Sequence, residues 1–568
     1  MGRSSARQSI LRLFEIRNCF AQSSADEKGE LLDTIAGCVV RTAADARRLH
    51  LVLCFLRAFP DTVAVYRRAT ALLARFPRIV DDLSERERAR LTDSGIAGTE
   101  LNYPFSYEVA HWLARAHPGV ARIDWSCFEN AGRFDELLSQ LLEYTETDYF
   151  DSGYVTTDEW LAIASGRSDD GGFAWLMSQL AELDEYDRFW TAMYNAAEVP
   201  VLCRLGSSKL SRTNNVYPCT TVRCRTSPMR ARVANAKREI CRPIDDLQRL
   251  DARAGARLID VAMSSLAARH RETNHFNHAN PKEVYVANVG AGVRIAVTGL
   301  LAEHRYPLET TMGFLILSND IPVGYGGSSA LYRQTNTGIN IFEEFRGSEA
   351  AWFWVQVMRT IHQLTGCNRF VANPYQFGAD NKEALKSGAF WFYYRLGYRP
   401  VRRKARSLAA AEFRRVKSRK GYRTPLETLK ALSACDMHLK LPGARDADFF
   451  DEGWIEFAGL LATRKLDASG QASRRRGRKV LVGRLLQSLR IASLSDWSVE
   501  ERDWFERLAP LVSALEPDKW AASERRQLAN WLRAKGGRHE REFALCFARS
   551  ERVFAALKSA CRRVAREH

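Results

Sequence analysis

Residues 338–364 read GINIFEEFRGSEAAWFWVQVMRTIHQL. The first five residues alternate weakly, as in a β-strand, and the run rich in bulky apolar residues from Trp352 to Leu364 predicts a helix. The turn between them contains Arg346 and Gly347. A turn that leads from a strand into a helix gathers free backbone N–H groups at the positive end of the helix dipole, so it can hold a phosphate group.

The sequence on either side of this stretch predicts further strands and helices. The expected strands are residues 216–224, 283–289, 293–297, 313–317, 323–325, 369–372 and 437–441. The expected helices are 245–271 and 381–396, and the second stops at a Gly397 and Pro400 ending. The glycine-rich residues 324–327 are interpreted as a strand end or a bulge. This order of strand, turn, helix, strand and helix forms a βαβα unit. We expect the unit to belong to a sheet of five to seven strands.

Three motifs in this unit resemble the central half of the GNAT superfamily, the acyl-CoA-dependent N-acetyltransferases. Glu343-Glu344-Phe345-Arg346-Gly347 resembles the family's strand exit into an Arg/Gln-x-x-Gly-x-Gly/Ala loop. Asn381-Lys382-Glu383-Ala384 resembles its Asn-x-x-Ala at the start of a later helix. Tyr393-Tyr394-Arg395-Leu396-Gly397-Tyr398 resembles its Tyr-x-x-Leu-Gly-Phe. The resemblance covers about 90 of the 568 residues.

The resemblance implies an α+β fold, in which a central mixed β-sheet domain of GNAT type is flanked by N- and C-terminal all-α domains. The helical patterns on either side give the expected boundaries. These are a helical domain at 1–197, a basic linker and strand segment at 198–244, the GNAT-like domain at 245–442 and a C-terminal helical domain at 443–568.

The resemblance also implies an acyltransferase that moves an acetyl or other acyl group from acyl-CoA to an amine. The expected cofactor-binding residues are Ile341, Phe342, Arg346, Gly347, Ser348, Glu349, Ala350, Ala351 and Asn381. Tyr393 is the expected acid for the leaving thiolate, with Tyr394 as the alternative, and Glu343 is ranked ahead of Glu344 as the base. Glu349 stands where the family has its first glycine, so its carboxylate must point away from any bound diphosphate.

The net charge of +17 is concentrated in two stretches that bracket the predicted transferase unit. Residues 201–250 contain 11 Lys/Arg against 3 Asp/Glu, and residues 399–430 contain 12 against 2. A nucleic acid or another acidic partner is one explanation for these stretches, and a phosphate-rich cofactor or an acidic acceptor is another. The alternative function is therefore a non-enzymatic binding protein that uses a degenerate GNAT-like scaffold.

The remaining features favour a cytoplasmic protein without a metal. The 12 cysteines are scattered singly, which is typical of reduced thiols, and no run of 18 apolar residues predicts a membrane span. The C-x4-C spacing of Cys219 and Cys224 is not a zinc motif. The histidines at 270, 275 and 278 are interpreted as hydrogen-bonding loop residues, because no Asp, Glu or Cys accompanies them at a matching spacing.

Overall fold

The computed structural model describes residues 3–183, 189–218, 221–230 and 232–567. The N-terminal part is mainly helical. Its helices are α1 (Arg3–Ile16), α2 (Gln22–Ala36), α3 (Ala43–Ala58), α4 (Val63–Ala74), α5 (Phe76–Asp81), α6 (Glu85–Ala89), α7 (Tyr107–Ala116), α8 (Ala131–Ser139), α9 (Thr147–Asp151), α10 (Thr157–Ala164), α11 (Phe173–Leu183) and α12 (Phe189–Ala197).

The N-terminal part also contains a small antiparallel sheet, so the expectation that it is all-α was wrong. Its strands are β1 (Glu100–Tyr103), β2 (Ala121–Ile123) and β3 (Val201–Arg204), in the order β1-β3-β2. Each strand has only three or four residues, which is too short for an alternating pattern to stand out in the sequence. The third strand lies at the start of the 198–244 segment, which was expected to contain a strand at 216–224.

The central part is a nine-stranded mixed sheet in the order β11-β12-β10-β9-β8-β7-β6-β5-β4. Its strands are β4 (Leu247–Arg249), β5 (Ala279–Gly290), β6 (Val293–Leu300), β7 (Thr310–Ser318), β8 (Ile321–Leu331), β9 (Gln334–Ile341), β10 (Arg369–Ala372), β11 (Arg399–Pro400) and β12 (Met437–Lys440). The helices of this part are α13 (Ala236–Ile240), α14 (Ala252–Ala267), α15 (Asn274–Asn277), α16 (Ala350–Thr365), α17 (Lys382–Ser387), α18 (Ala389–Arg395), α19 (Arg403–Ser418) and α20 (Leu426–Leu432).

The two predicted hairpins are present as β5–β6 and β7–β8, but several finer expectations were wrong. Residues 247–249 form strand β4 instead of the start of a helix, because the Asp251 side chain caps α14 by accepting a hydrogen bond from the Ala254 N–H at 2.9 Å. The helix expected over 381–396 is split at Gly388, whose φ of 67° is left-handed. Residues 324–327 lie inside β8, and the described residues of 216–224 form no strand. Cys219 lies outside the described residues.

The C-terminal part consists of helices in the described residues. They are α21 (Trp454–Asp467), α22 (Arg474–Leu489), α23 (Val499–Ser513), α24 (Ala522–Lys535), α25 (Glu540–Arg549) and α26 (Glu551–Val564). One continuous apolar core joins the N-terminal helices to the central sheet, and a second core holds the C-terminal helices together with Leu308, Leu331 and Tyr332. Within the described residues no helix is long and apolar enough to cross a membrane.

Buried carboxylates join the C-terminal helices to the sheet. The Glu540 carboxylate, at the start of α25, accepts hydrogen bonds from the N–H groups of Leu300 on β6 and Thr311 on β7, at 3.1 and 3.3 Å. In return, the Glu283 carboxylate on β5 accepts from the N–H groups of Glu540 and Arg541 at 2.8 and 2.9 Å. Burial raises the pKa of Glu283 to about 7, although these hydrogen bonds oppose the rise.

This junction predicts a pH dependence that Glu283→Gln removes. Between pH 4.5 and about 7, the folded protein holds a proton on Glu283 that the unfolded chain has released, so stability falls as the pH rises through this window. At ~1.4 kcal/mol per pH unit, the wild type should lose roughly 3 kcal/mol relative to the variant. Urea unfolding of both proteins at pH 5 and pH 8 measures the difference. Equal pH dependence in the two proteins would contradict the prediction.

Candidate active site

The pairing between β9 and β10 stops early. These two strands run parallel, and they pair only over residues 334–336 with 369–371. β9 then continues to Ile341 with β8 on one side. On its other side, no described strand pairs with residues 337–341. This leaves a row of backbone hydrogen-bonding groups at an open edge inside the sheet, which an extended ligand could use as a strand would.

A cavity of about 1500 Å³ lies along this open edge. Successive residues of a strand face opposite sides of the sheet. Ile339 and Ile341 face the side where α16 packs, because Ile339 pairs with Gly326, which pairs with Phe314, whose ring lies 6.3 Å from that of Trp354 on α16. Asn340 faces the other side, and all three line the cavity. The cavity is therefore open to both faces of the sheet.

The N-terminus of α16 forms one wall of the cavity. Ala350 and Ala351 line it, and the side chain of the N-cap residue Glu349 does not cap this end of the helix. The first-turn N–H groups and the helix dipole therefore make this wall electropositive. Arg346 adds a guanidinium that is 65% exposed and whose partner is the equally accessible Glu383 at 3.0 Å.

Glu349 does not obstruct this wall. Its side chain is fully buried, and its two oxygens accept hydrogen bonds from the Arg225 guanidinium at 3.0 and 2.7 Å. One of these oxygens also accepts from the Arg230 N–H at 2.7 Å. The carboxylate therefore points into the protein, toward the segment that crosses the end of α16, and not into the cavity.

Tyr393 lines the cavity from α18. Its ring is buried, and its hydroxyl donates a long hydrogen bond of 3.4 Å to Gln376 Oε1. Burial raises the pKa of Tyr393 far above its usual value, so the hydroxyl stays protonated and available as a donor. The alternative, Tyr394, also contacts the cavity, but its ring packs on Phe413 and lies 4.1 Å beneath the Arg399 guanidinium.

The two neighbouring glutamates differ sharply in environment. They form a 3₁₀ turn after β9 instead of its last residues. Glu343 lines the cavity, is 41% exposed, and pairs with Arg47 at 3.1 Å and Arg212 at 3.7 Å. Glu344 is buried, and its Oε1 accepts from both Arg212 and Arg269 at 2.8 and 2.6 Å. Burial alone would raise the pKa of Glu344, but the charges of Arg269 and Arg212 outweigh burial and hold it far below its usual value.

Asn381 also lines the cavity, but its side chain is already bonded within the protein. Its Oδ1 accepts from the Ala384 N–H at 3.0 Å, which caps α17, and its Nδ2 donates to the Tyr375 carbonyl at 3.1 Å. Gly338 lets the Gln376 side chain come close to β9, since a Cβ at position 338 would lie 2.4 Å from Gln376 Oε1. Gln376 thereby approaches β9 closely where β10 leaves it.

The cavity brings together most of the residues that the sequence analysis selected. Those in its wall are Ile341, Phe342, Glu343, Arg346, Ala350, Ala351, Asn381 and Tyr393, whereas Gly347, Ser348 and Glu349 are outside it. Sequence reasoning missed the residues contributed by distant segments: Asp93, Arg212, Arg232, Arg269, Arg271, Tyr325 and Gln376. The basic composition of residues 201–250 was a signal for Arg212 and Arg232, but it was interpreted as a surface for an acidic partner.

The three histidines after α14 do not converge. His270 stacks on Tyr103, His275 packs against Gly327, and His278 stacks on His304. In the part of the chain that the structure describes, no group of three His, Cys, Asp or Glu side chains is placed to hold a metal ion.

Comparisons of the chain with protein-family models, with curated proteins and with solved structures find no match.

The buried Arg225–Glu349 pair predicts a large effect on stability. Arg225→Ala leaves the buried Glu349 carboxylate with only the half-exposed Arg230 guanidinium, 3.8 Å away, as an ion-pair partner. This loss should lower the free energy of unfolding by ~3 kcal/mol. Arg346→Ala is the matched control, because it breaks an exposed arginine–glutamate pair and should change stability by at most ~1 kcal/mol. Denaturant unfolding compares the two variants. Similar losses in both would show that the Glu349 carboxylate is not buried as described.

Proposed function

We propose that this protein transfers an acyl group from acyl-CoA to an amine. The observation that carries the proposal is the meeting of two features in one cavity, namely the open edge of β9 and the uncapped N-terminus of α16. An acyl-CoA has a matching pair of features, since its pantetheine arm carries amides and its nucleotide end carries a diphosphate. The strand order also supports a GNAT-like arrangement, with a single βαβ crossover through α16 joining the parallel strands β9 and β10.

The cofactor would lie with its diphosphate at the first turn of α16. Ala350 and Ala351 line the cavity there, so their backbone N–H groups would bind the diphosphate, and Arg346 can exchange its exposed partner Glu383 for a phosphate. The pantetheine amides would pair with the backbone of residues 337–341, as an added strand does. This places the thioester near Tyr393, where the sheet opens to its other face.

The reaction joins the amine nitrogen to the thioester carbonyl carbon, and the carbon–sulphur bond breaks. Of the two glutamates that follow β9, Glu343 is the one in the cavity wall, so we assign it as the base that accepts the proton released by the amine. Tyr393 donates a hydrogen bond to the departing sulphur. Because its pKa is raised, the hydroxyl stabilises the charge on sulphur better than it gives up its own proton. The proton that Glu343 accepted finally passes through solvent to the thiolate, which restores the Glu343 carboxylate and gives an amide and free CoA as products.

A nucleic-acid-binding function is the second candidate, and one observation favours it. Helix α19 carries six Lys/Arg and one Glu, and most of these basic side chains are exposed. They are Arg403, Lys404, Arg406, Arg414, Arg415 and Lys417. The other basic stretch supports this function less, because Arg212 and Arg225 are occupied in buried ion pairs. A cytoplasmic location, where acyl-CoA and nucleic acids both occur, would suit either function.

Calorimetric titration with acetyl-CoA tests the transferase proposal. We expect saturable binding that weakens about tenfold in Arg346→Ala, because one charge-assisted contact to phosphate is lost. Acetyl-pantetheine, which lacks the diphosphate, should bind the two proteins equally. Arg464→Ala removes an exposed arginine from the C-terminal helices and serves as the control. Absence of heat up to millimolar acetyl-CoA would refute the proposal.

Salt dependence of binding separates the second candidate from the first. If α19 binds a nucleic acid, the logarithm of the association constant for a duplex should fall linearly with the logarithm of the salt concentration. The double variant Arg414→Gln, Lys417→Gln should reduce the magnitude of this slope by about 2. Filter binding at several salt concentrations measures this slope. An unchanged slope in the double variant would remove α19 as the binding surface.

A further inference from the structure

The end of the cavity on the α14 side of the sheet is rich in arginine. Arg269 and Arg271 follow the end of α14, Arg212 comes from the loop after β3, and all three line the cavity. They surround Tyr325, which pairs with Asn340 and so faces the same side of the sheet. This end therefore lies across the sheet from α16, which packs against the face of Ile339 and Ile341.

Positive charge at this end exceeds the negative charge that faces it in the described residues. Arg57, Arg212 and Arg269 are buried or nearly so, and Arg47 and Arg271 are exposed beside them. The carboxylates among these arginines are Glu344, Glu343 and the cavity-lining Asp93. Arg47 and Arg57 stand behind the cavity wall, so the cluster as a whole holds five cations against three anions. Buried or half-buried charge without a counter-charge is costly, which makes the cavity at this point a favourable place for an anion.

The individual contacts show how the charge is distributed. One oxygen of Glu344 accepts hydrogen bonds from both Arg212 and Arg269, so a single carboxylate is the counter-charge of two guanidinium groups. Arg57 donates to the Thr213 carbonyl at 2.8 Å, and no described carboxylate lies within ion-pair distance of it. Arg271 likewise has no ion-pair partner in the described part of the chain. Arg269 is held in place with its guanidinium 3.9 Å from the centre of the Phe342 ring.

We propose that the amine acceptor carries an anionic group, a carboxylate or a phosphate, that binds between Arg212, Arg269 and Arg271. This inference rests on the proposed acyl transfer and names the substrate class of that site. Arginine is suited to the task because its planar guanidinium binds a carboxylate or phosphate with two parallel hydrogen bonds. The acyl-CoA phosphates occupy the α16 side, so the anion on the α14 side belongs to the second substrate. Anchoring that anion directs the acceptor amine toward the thioester and Glu343.

Binding of two simple anions tests this proposal. The protein is saturated with CoA, so that the α16 end is filled, and is titrated with inorganic phosphate or acetate at constant ionic strength set with potassium chloride. We expect at least one of the two anions to raise the melting temperature above the chloride baseline. The stronger of the two identifies the anionic group as a phosphate or a carboxylate.

Two arginine variants locate the bound anion. Arg271→Gln should weaken anion binding about tenfold, because it removes an exposed cation of the α14 end without disturbing a recorded ion pair. Arg395→Gln, which removes an exposed cation of the cavity wall on α18, should leave it unchanged. The proposal is overturned if neither anion stabilises the protein beyond chloride, or if Arg271→Gln binds as the wild type does.

The outcome is separable from that of the proposed function. If CoA does not bind, the acyl-transfer proposal is refuted, and the same anion titration is run on the protein without CoA. If only Arg271→Gln then loses anion binding, the α14 end still contains an anion site. If only Arg395→Gln loses anion binding, the anion binds on the α16 side and the inference is overturned.

Discussion

The early end of the pairing between β9 and β10 is the constraint on which the site depends. Three residue pairs hold these parallel strands together, and beyond them the chain leaves β10 through Asn373 into a short 3₁₀ turn, Pro374–Phe377. Had the pairing continued, residues 337–341 would be ordinary sheet interior and no cavity could reach both faces. Gly338 keeps the gap narrow, because the absence of a side chain lets Gln376 approach the strand.

The rest of the molecule supports this opening from outside the sheet. Helix α3 ends at Ala58, whose carbonyl accepts hydrogen bonds from Ser318 and Asn319 at the β7–β8 turn. The same part of the protein supplies Pro60, whose carbonyl accepts from the Arg225 N–H at 2.7 Å. Arg225 in turn holds Glu349. The N-terminal helices thus hold the segment around Arg225, which in turn holds the Glu349 carboxylate away from the end of α16. The same helices share one apolar core with the central sheet.

Features formed by residues close together in the sequence could be predicted from it, whereas contacts between residues far apart in the sequence could not. The hairpins β5–β6 and β7–β8 follow from local alternation and turn residues, and the strand-turn-helix at 338–364 follows from a change of period within one stretch. The break at Gly388 was missed because the apolar pattern runs across it, and β4 was missed because Leu247 and Leu250 also fit a helical spacing. The partners of Glu343, Glu344 and Glu349 lie more than 70 residues away, and no local pattern encodes which arginine each one meets.

These ion pairs change how the net charge of the protein should be understood. From the sequence, the excess of Lys/Arg at 201–250 indicates a surface for an acidic partner. In the structure, Arg212 and Arg225 from this stretch are less than 10% exposed and neutralise Glu344 and Glu349, two glutamates at the entry to α16. Net charge alone does not separate a cation that faces solvent from one that neutralises a buried carboxylate. Part of this basic stretch therefore pairs with two buried carboxylates and turns one of them, that of Glu349, away from the end of the helix that is the proposed phosphate site.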